Sequence, residues 1–218
     1  MTSPADARCP EQRRATQRRE ILASARKHFL SEGYFATTMS AIAADVGGSK
    51  GILWTHFASK EQLLVAFVDA EIEDFHSDAL TILDSTQAPV ATLRAFAEHF
   101  IARMIDPDAL KLQRLAGAVV GHVAVGGQIY AELVSCVENA LAEYYSRQMA
   151  LGSLRNDDAS KAAALTISLC MGACQQRLLW TGEPAREDAA KARAEIVAGT
   201  LAELYAVTIA GCAVDNAV

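Results

Sequence analysis

The sequence predicts an all-α fold, and three observations carry that prediction. Of 218 residues, 42 are Ala and only 5 are Pro, the best and the worst helix formers. Apolar residues recur at three- and four-residue spacing along most of the chain. Ser, Thr, Asp and Gly stand where those runs begin and end. A hydrophobic content of 51% and a mean hydropathy of +0.14 allow a sizeable core. They exclude a disordered chain, a collagen-like chain and a small disulfide scaffold. The longest apolar-rich run, Ala162–Cys174, contains Thr166 and Ser168 and is too short and too polar to span a bilayer, so no membrane partner is expected. The Arg-rich start has no apolar stretch ahead of a cleavage site. The five cysteines (Cys9, Cys136, Cys170, Cys174 and Cys212) are odd in number, so free thiols in a reducing cytoplasm are the simpler expectation.

Residues 1–10 contain Pro4 and Pro10 and no apolar periodicity, and are expected to be a flexible tail. The first helix should run from Glu11 to about Glu32, with Ile21, Ala25 and Phe29 at i, i+4, i+8 on one stripe and Gly33 ending it. Thr37-Thr38 offers an N-cap to a short second helix whose inward residues are Met39, Ile42, Ala43 and Val46, and Gly47-Gly48 breaks it. Ser49 then caps a third helix, Lys50 to Phe57, with Leu53 and Phe57 facing inward. Ser59-Lys60-Glu61-Gln62 reads as a capping box opening a long fourth helix to about Leu83. Pro89 opens another at position N1. Asp106-Pro107 starts the next, to about Val120. Gly121–Gly127 is a break, and one helix is expected over residues 128–150. After the polar turn Gly152–Asp158, two long helices close the chain, about 158–180 and 187–210, and residues 211–218 should fray. The resulting division is a DNA-binding head over 11–60 and a helical body over 61–210.

The net charge of −6 hides an asymmetry: residues 1–60 carry +4 and residues 61–218 carry −10. Such a head suits a polyanion, although a solvated basic tail would look the same by charge alone. Two short helices joined by a glycine turn and packed on a preceding helix make a helix-turn-helix, whose second helix enters the DNA major groove. In that role Lys50 meets phosphate or guanine and Gly51 permits close backbone approach. Ile52 can touch a thymine methyl, and Trp54, Thr55 and His56 can donate hydrogen bonds.

The residues Arg19–Ala25, Phe29, Gly33-Tyr34, Thr37-Thr38-Met39, Ile42-Ala43, Gly47, Ser49-Lys50-Gly51, Leu53, Phe57 and Ser59–Leu63 stand in the order and spacing of one family. Over residues 15–65 the chain resembles the N-terminal domain of TetR-family transcriptional regulators. Gly152, Leu154, Asp158 and Ala162-Ala163 are similar to the C-terminal domains of the AcrR-like branch. The resemblance implies a homodimer paired through its last two helices as a four-helix bundle. It implies a double-stranded, near-palindromic DNA operator, and most often repression relieved by a small apolar effector. Carried over position by position, the DNA-facing residues are Thr38, Ser49, Lys50, Gly51, Ile52, Trp54, Thr55, His56 and Lys60, with Arg13, Arg14 and Arg18 as supporting phosphate contacts. Three positions depart from the family pattern: Gly48 replaces the usual Val, Ile52 the usual Thr, and Trp54 the usual Tyr.

Candidate effector-binding residues lie on inward faces of the middle helices: Phe96, His99, Phe100, Arg103, Met104, His122, Tyr130, Met171, Cys174, Gln175 and Trp180. The mixture suits an apolar or aromatic ligand, although ordinary core packing is the commoner role for any one of them. Leu165, Leu169, Ile196, Leu201 and Leu204 are expected at the dimer interface. Cys170 and Cys174 share a helix face without further ligands, so no metal and no cofactor is expected. No phosphate loop, nucleophile elbow or zinc-protease motif points to an enzyme. The competing classes are an architectural DNA-binding protein without a ligand and a helical small-molecule-binding protein with a vestigial head.

Overall fold

A computed structural model describes residues 10–47, 50–119, 121, 126–130 and 135–207. Among them ten helices form, and the only β pairing is an isolated bridge between Leu154 and Ala206. The helices are α1 (Pro10–Glu32), α2 (Met39–Asp45), α3 (Lys50–His56), α4 (Lys60–Leu83), α5 (Pro89–Met104), α6 (Pro107–Val119), α7 (Gly126–Tyr130), α8 (Cys136–Ala150), α9 (Ala159–Thr181) and α10 (Ala189–Tyr205). Packing divides the chain into two compact units. One comprises Met1–Glu73 with Leu110–Leu133, and the other Asp74–Ala109 with Val134–Val218.

The first unit is organised around the stripe predicted on α1. Ile21, Ala25 and Phe29 are buried with Ile42 of α2, Leu53 of α3, and Leu63, Leu64 and Phe67 of α4. The predicted boundary at residue 60 is not where the packing divides. Leu112, Leu115, Ala116 and Val119 of α6 enter this same core, so a segment fifty residues downstream in sequence completes the head. At the start of α4 the Gln62 N–H donates to Ser59 Oγ (3.2 Å), as a capping box requires. The return bond falls one residue early: the Ala58 N–H, not that of Ser59, donates to Gln62 Oε1 (3.1 Å).

In the second unit, α5 packs most extensively on α10, and α8 on α9. Thr92, Leu93, Phe96, Ala97, Phe100 and Ile101 form the buried face of α5, and Val137, Leu141, Tyr144, Tyr145 and Met149 that of α8. Thr166 donates its proton to the Ala162 carbonyl (2.8 Å), which leaves its oxygen to accept from the buried Tyr145 O–H (2.8 Å). Asp158 caps α9 by accepting from the Lys161 N–H (3.0 Å). Helix α9 is kinked at Gly172, whose φ of 33° is open to glycine and strained for other residues. The Arg193 guanidinium supports the kink by donating from Nη2 to the Leu169 carbonyl (2.8 Å).

Three predicted boundaries change. The helix expected over 128–150 is represented by the short α7 and by α8, with 131–134 outside the described residues. Helix α10 stops at Tyr205 rather than Ala210, because Ala206 turns to an extended conformation (φ −63°, ψ 140°) and the Arg155 N–H captures the Tyr205 carbonyl (2.7 Å). Helix α1 begins at Pro10, inside the expected tail; residues 1–9 and 211–218 lie outside the described residues. Among the described residues no helix is long and apolar enough to cross a membrane.

Candidate nucleic-acid interface

The head is held together by polar contacts that fix α2 on α1. Thr38, exposed, accepts from the Ala41 N–H (3.1 Å) and starts α2. At its other end Asp45 receives Lys27 Nζ (2.9 Å) and lies 3.1 Å from His28 Nε2. The hydrogen bond from Lys27 holds the Asp45 carboxyl below the usual carboxylate range. Gly47, at φ 71°, turns the chain out of α2, a conformation that disfavours a side chain.

Helix α3 has two distinct faces. Leu53 (2% exposed) and Phe57 (4%), which follows its last turn, are buried in the head's core. Gly51, Trp54 (52% exposed) and Thr55 face solvent, and Ile52 and His56 are half-buried. Thr55 donates its hydroxyl proton to the Ile52 carbonyl (2.7 Å), leaving its lone pairs outward. The Arg18 guanidinium lies over the Phe57 ring at 5.0 Å, which ties the arginines of α1 to the end of α3. Arg13, Arg14 and Arg19 are exposed on the same helix. Ser49 lies outside the described residues, as does the side chain of Lys50; the backbone of Lys50 begins α3.

Lys60 has a role that sequence spacing did not reveal. Its ammonium donates to the carbonyls of Tyr34 and Thr37, each at 2.9 Å, and sits 4.2 Å from the centre of the Tyr34 ring. The Tyr34 hydroxyl in turn donates to Glu61 (2.8 Å), and burial, then Glu61, raises its pKa. Lys60 thus pins the connection between α1 and α2. Nothing in the linear sequence announces a contact across 26 residues.

Burial, and then the charges of Arg14 and Arg18, pushes the His56 pKa below its ordinary value of 6.5. His56 is therefore neutral at pH 7. Its depressed folded-state pKa means that stability is full above 6.5 and declines as the pH falls below it. A polyanion that neutralises Arg14 and Arg18 removes part of the cause and raises the pKa. Duplex affinity is therefore expected to rise as the pH falls through 6.5, and the rise should flatten in His56→Gln. Anisotropy titrations across that range check this.

The candidate effector residues scatter. Phe96 and Phe100 are buried and tilted against each other at 5.8 Å, with Phe75 5.8 Å from Phe100. His99 stacks on Phe75 (5.2 Å, 9°), and its buried Nε2 has no hydrogen-bond partner. Arg103 and Met104 are half-buried, Arg103 lying 3.4 Å from Asp106, and Gln175 is buried. Trp180 (90% exposed) and Met171 lie on the surface of the protomer and do not line an interior site. Apolar spacing makes both faces of α9 eligible for burial, and the outward one carries these residues. His122 lies outside the described residues, as do the side chains of Tyr130 and Cys174. Leu201, expected at the dimer interface, is instead buried in its own protomer, whereas Ile196 and Leu204 are exposed and Leu165 and Leu169 half-buried. Burial pushes the Cys170 thiol up to about 12, which makes it a poor nucleophile. Among the described residues no group of three or more His, Cys, Asp or Glu is placed to hold a metal ion.

Comparison with known proteins agrees with this geometry. Residues 21–67 match the family model of bacterial regulatory proteins, tetR family. Residues 91–207, likened above to the AcrR-like branch, match the model described as AefR-like transcriptional repressor, C-terminal domain. The HTH-type transcriptional activator FasR of Mycolicibacterium smegmatis is 33% identical over 87 residues, a match that spans only 40% of this chain and 40% of that relative. A TetR-family transcriptional regulator from Mesorhizobium loti superposes with a TM-score of 0.80 at 25% identity, covering 89% of this chain and 99% of that one. The flavonoid-responsive regulator FrrA superposes at 0.71 and 23% identity, covering 88% and 98%. With its head and most of its body matched to one family's models, the chain belongs to the TetR family of transcriptional regulators.

Proposed function

We propose that the protein is a homodimeric repressor that binds a near-palindromic operator and is released by a small apolar or aromatic ligand. The observation that carries the DNA reading is the division of α3. Leu53 and Phe57 anchor it, while Gly51, Trp54 and Thr55 face outward beside the Arg14 and Arg18 charges. Repression is favoured over activation because the model over residues 91–207 describes a repressor, whereas the likeness to the activator FasR is confined to 87 residues. Pairing through α9 and α10 is supported by exposed Met171, Trp180, Ile196 and Leu204, an apolar set costly to leave in water. An effector in the second unit is supported by the cluster of Phe75, Phe96 and Phe100 beside the unsatisfied His99 Nε2. A buried polar atom of this kind calls for a partner that a ligand can supply. That FrrA is named flavonoid-responsive favours an aromatic one.

The test is the salt dependence of binding to the DNA upstream of the protein's own coding sequence. Affinity should fall steeply between about 50 and 200 mM salt, because each phosphate contact releases counterions. Replacing both Arg14 and Arg18 with Ala should lower the log–log slope by about 2, and Lys50→Ala by about 1. Unchanged slopes would remove these residues from the phosphate contacts.

A further inference from the structure

A cleft of about 430 Å³ opens within the first unit, between the end of α1 with its connection to α2 on one side and α6 on the other. Its apolar floor is formed by Phe29, Leu30, Tyr34 and Leu115. Phe35 stands exposed at the lip, edge-on to Tyr34 with ring centres 5.4 Å apart. The α6 wall carries Lys111 and Arg114, both exposed and three residues apart on one helix face. The opposite wall carries one acidic residue, Glu32, whose carboxylate lies 3.0 Å from His28 Nδ1.

The volume falls within the roughly 300–1,000 Å³ of small-molecule sites. The rim sets two cations against one carboxylate that already has a partner. An amine would meet net repulsion there, and a neutral apolar molecule would gain nothing from the rim. We propose that this cleft binds a small amphipathic anion, a carboxylate with an apolar tail or ring. The tail lies on Phe29 and Leu115, and the carboxylate lies between Lys111 and Arg114. This site is separate from the aromatic cluster of the second unit. Its wall is the connection whose far end, Thr38, caps α2, so the occupant touches the segment that positions the helix-turn-helix.

Calorimetric titration of the full chain, without DNA, tests the site using decanoate, decanol and decylamine. Because no DNA is present, failure of the repressor reading cannot affect the outcome. Two variants locate the binding. Ala118→Phe fills the cleft from an exposed position on α6 that lines it, and the double variant Lys111→Glu/Arg114→Glu reverses the rim. Decanoate should bind the wild type more tightly than either control. Ala118→Phe should abolish that binding, and the charge reversal should weaken it about tenfold or more. Thermal melting shows whether each variant is folded. Absence of decanoate binding, equal binding of decylamine, or unchanged decanoate affinity in both folded variants would overturn the proposal.

Discussion

Replacing Phe57 with alanine is expected to cost about 3–5 kcal/mol of unfolding free energy and to abolish duplex binding. The ring is 4% exposed, closes the core under α3 and carries the Arg18 guanidinium on its face at 5.0 Å. Removing it leaves a cavity among Leu53, Leu63 and their neighbours and frees both α3 and Arg18. The informative contrast is Trp54→Ala, three residues away on the opposite face. That side chain is 52% exposed, so its loss should change stability by no more than about 0.5 kcal/mol. It should still weaken duplex binding about tenfold, within the ~1–3 kcal/mol of a groove contact. Denaturant melts and anisotropy titrations of the two variants separate anchoring from recognition. A Trp54→Ala protein that binds as tightly as wild type would take the indole out of the interface.

The second large effect is expected at Lys60. Substitution by Met keeps an unbranched apolar stem and removes the ammonium from the carbonyls of Tyr34 and Thr37. Two part-buried acceptors then lose a charged donor, and the Tyr34 ring loses a cation at 4.2 Å. About 2–3 kcal/mol of stability should be lost, seen as a lower urea midpoint. Duplex affinity should fall with it, because Thr38, which caps α2, directly follows the pinned connection. Arg is not an equivalent replacement, since a planar fork cannot reproduce two bonds from one nitrogen in the same space. If Lys60 serves only as a phosphate contact, Lys60→Met will lower the salt slope by about 1 and leave the urea midpoint unchanged.

The head was legible in the sequence because its determinants are local. Ile21, Ala25 and Phe29 announce α1 by spacing, Thr38 caps α2, and the small residue at 51 and the inward Leu53 orient α3. What stayed hidden depends on packing between distant segments. Leu112 and Leu115 of α6 join the head's core, yet their helical spacing is the same whichever core they enter. Trp180 and Leu201 are both apolar and both on the closing helices, but one faces water and the other the interior. Hydrophobicity alone cannot sort them, because which face of a helix is covered depends on its neighbours. The contact of Lys60 with Tyr34 and Thr37, and the cleft beside α6, are likewise products of tertiary placement.

Hydroxyl-radical footprinting on the duplex bearing the protein's operator tests the central claim most directly. Two paired copies should each place one α3 in a major groove. Protection should then appear as two symmetric patches centred about 34–36 Å apart, or one groove further along, and should weaken in Trp54→Ala while the spacing holds. A single patch, or protection that Trp54→Ala and the Arg14/Arg18 double variant leave untouched, would contradict it.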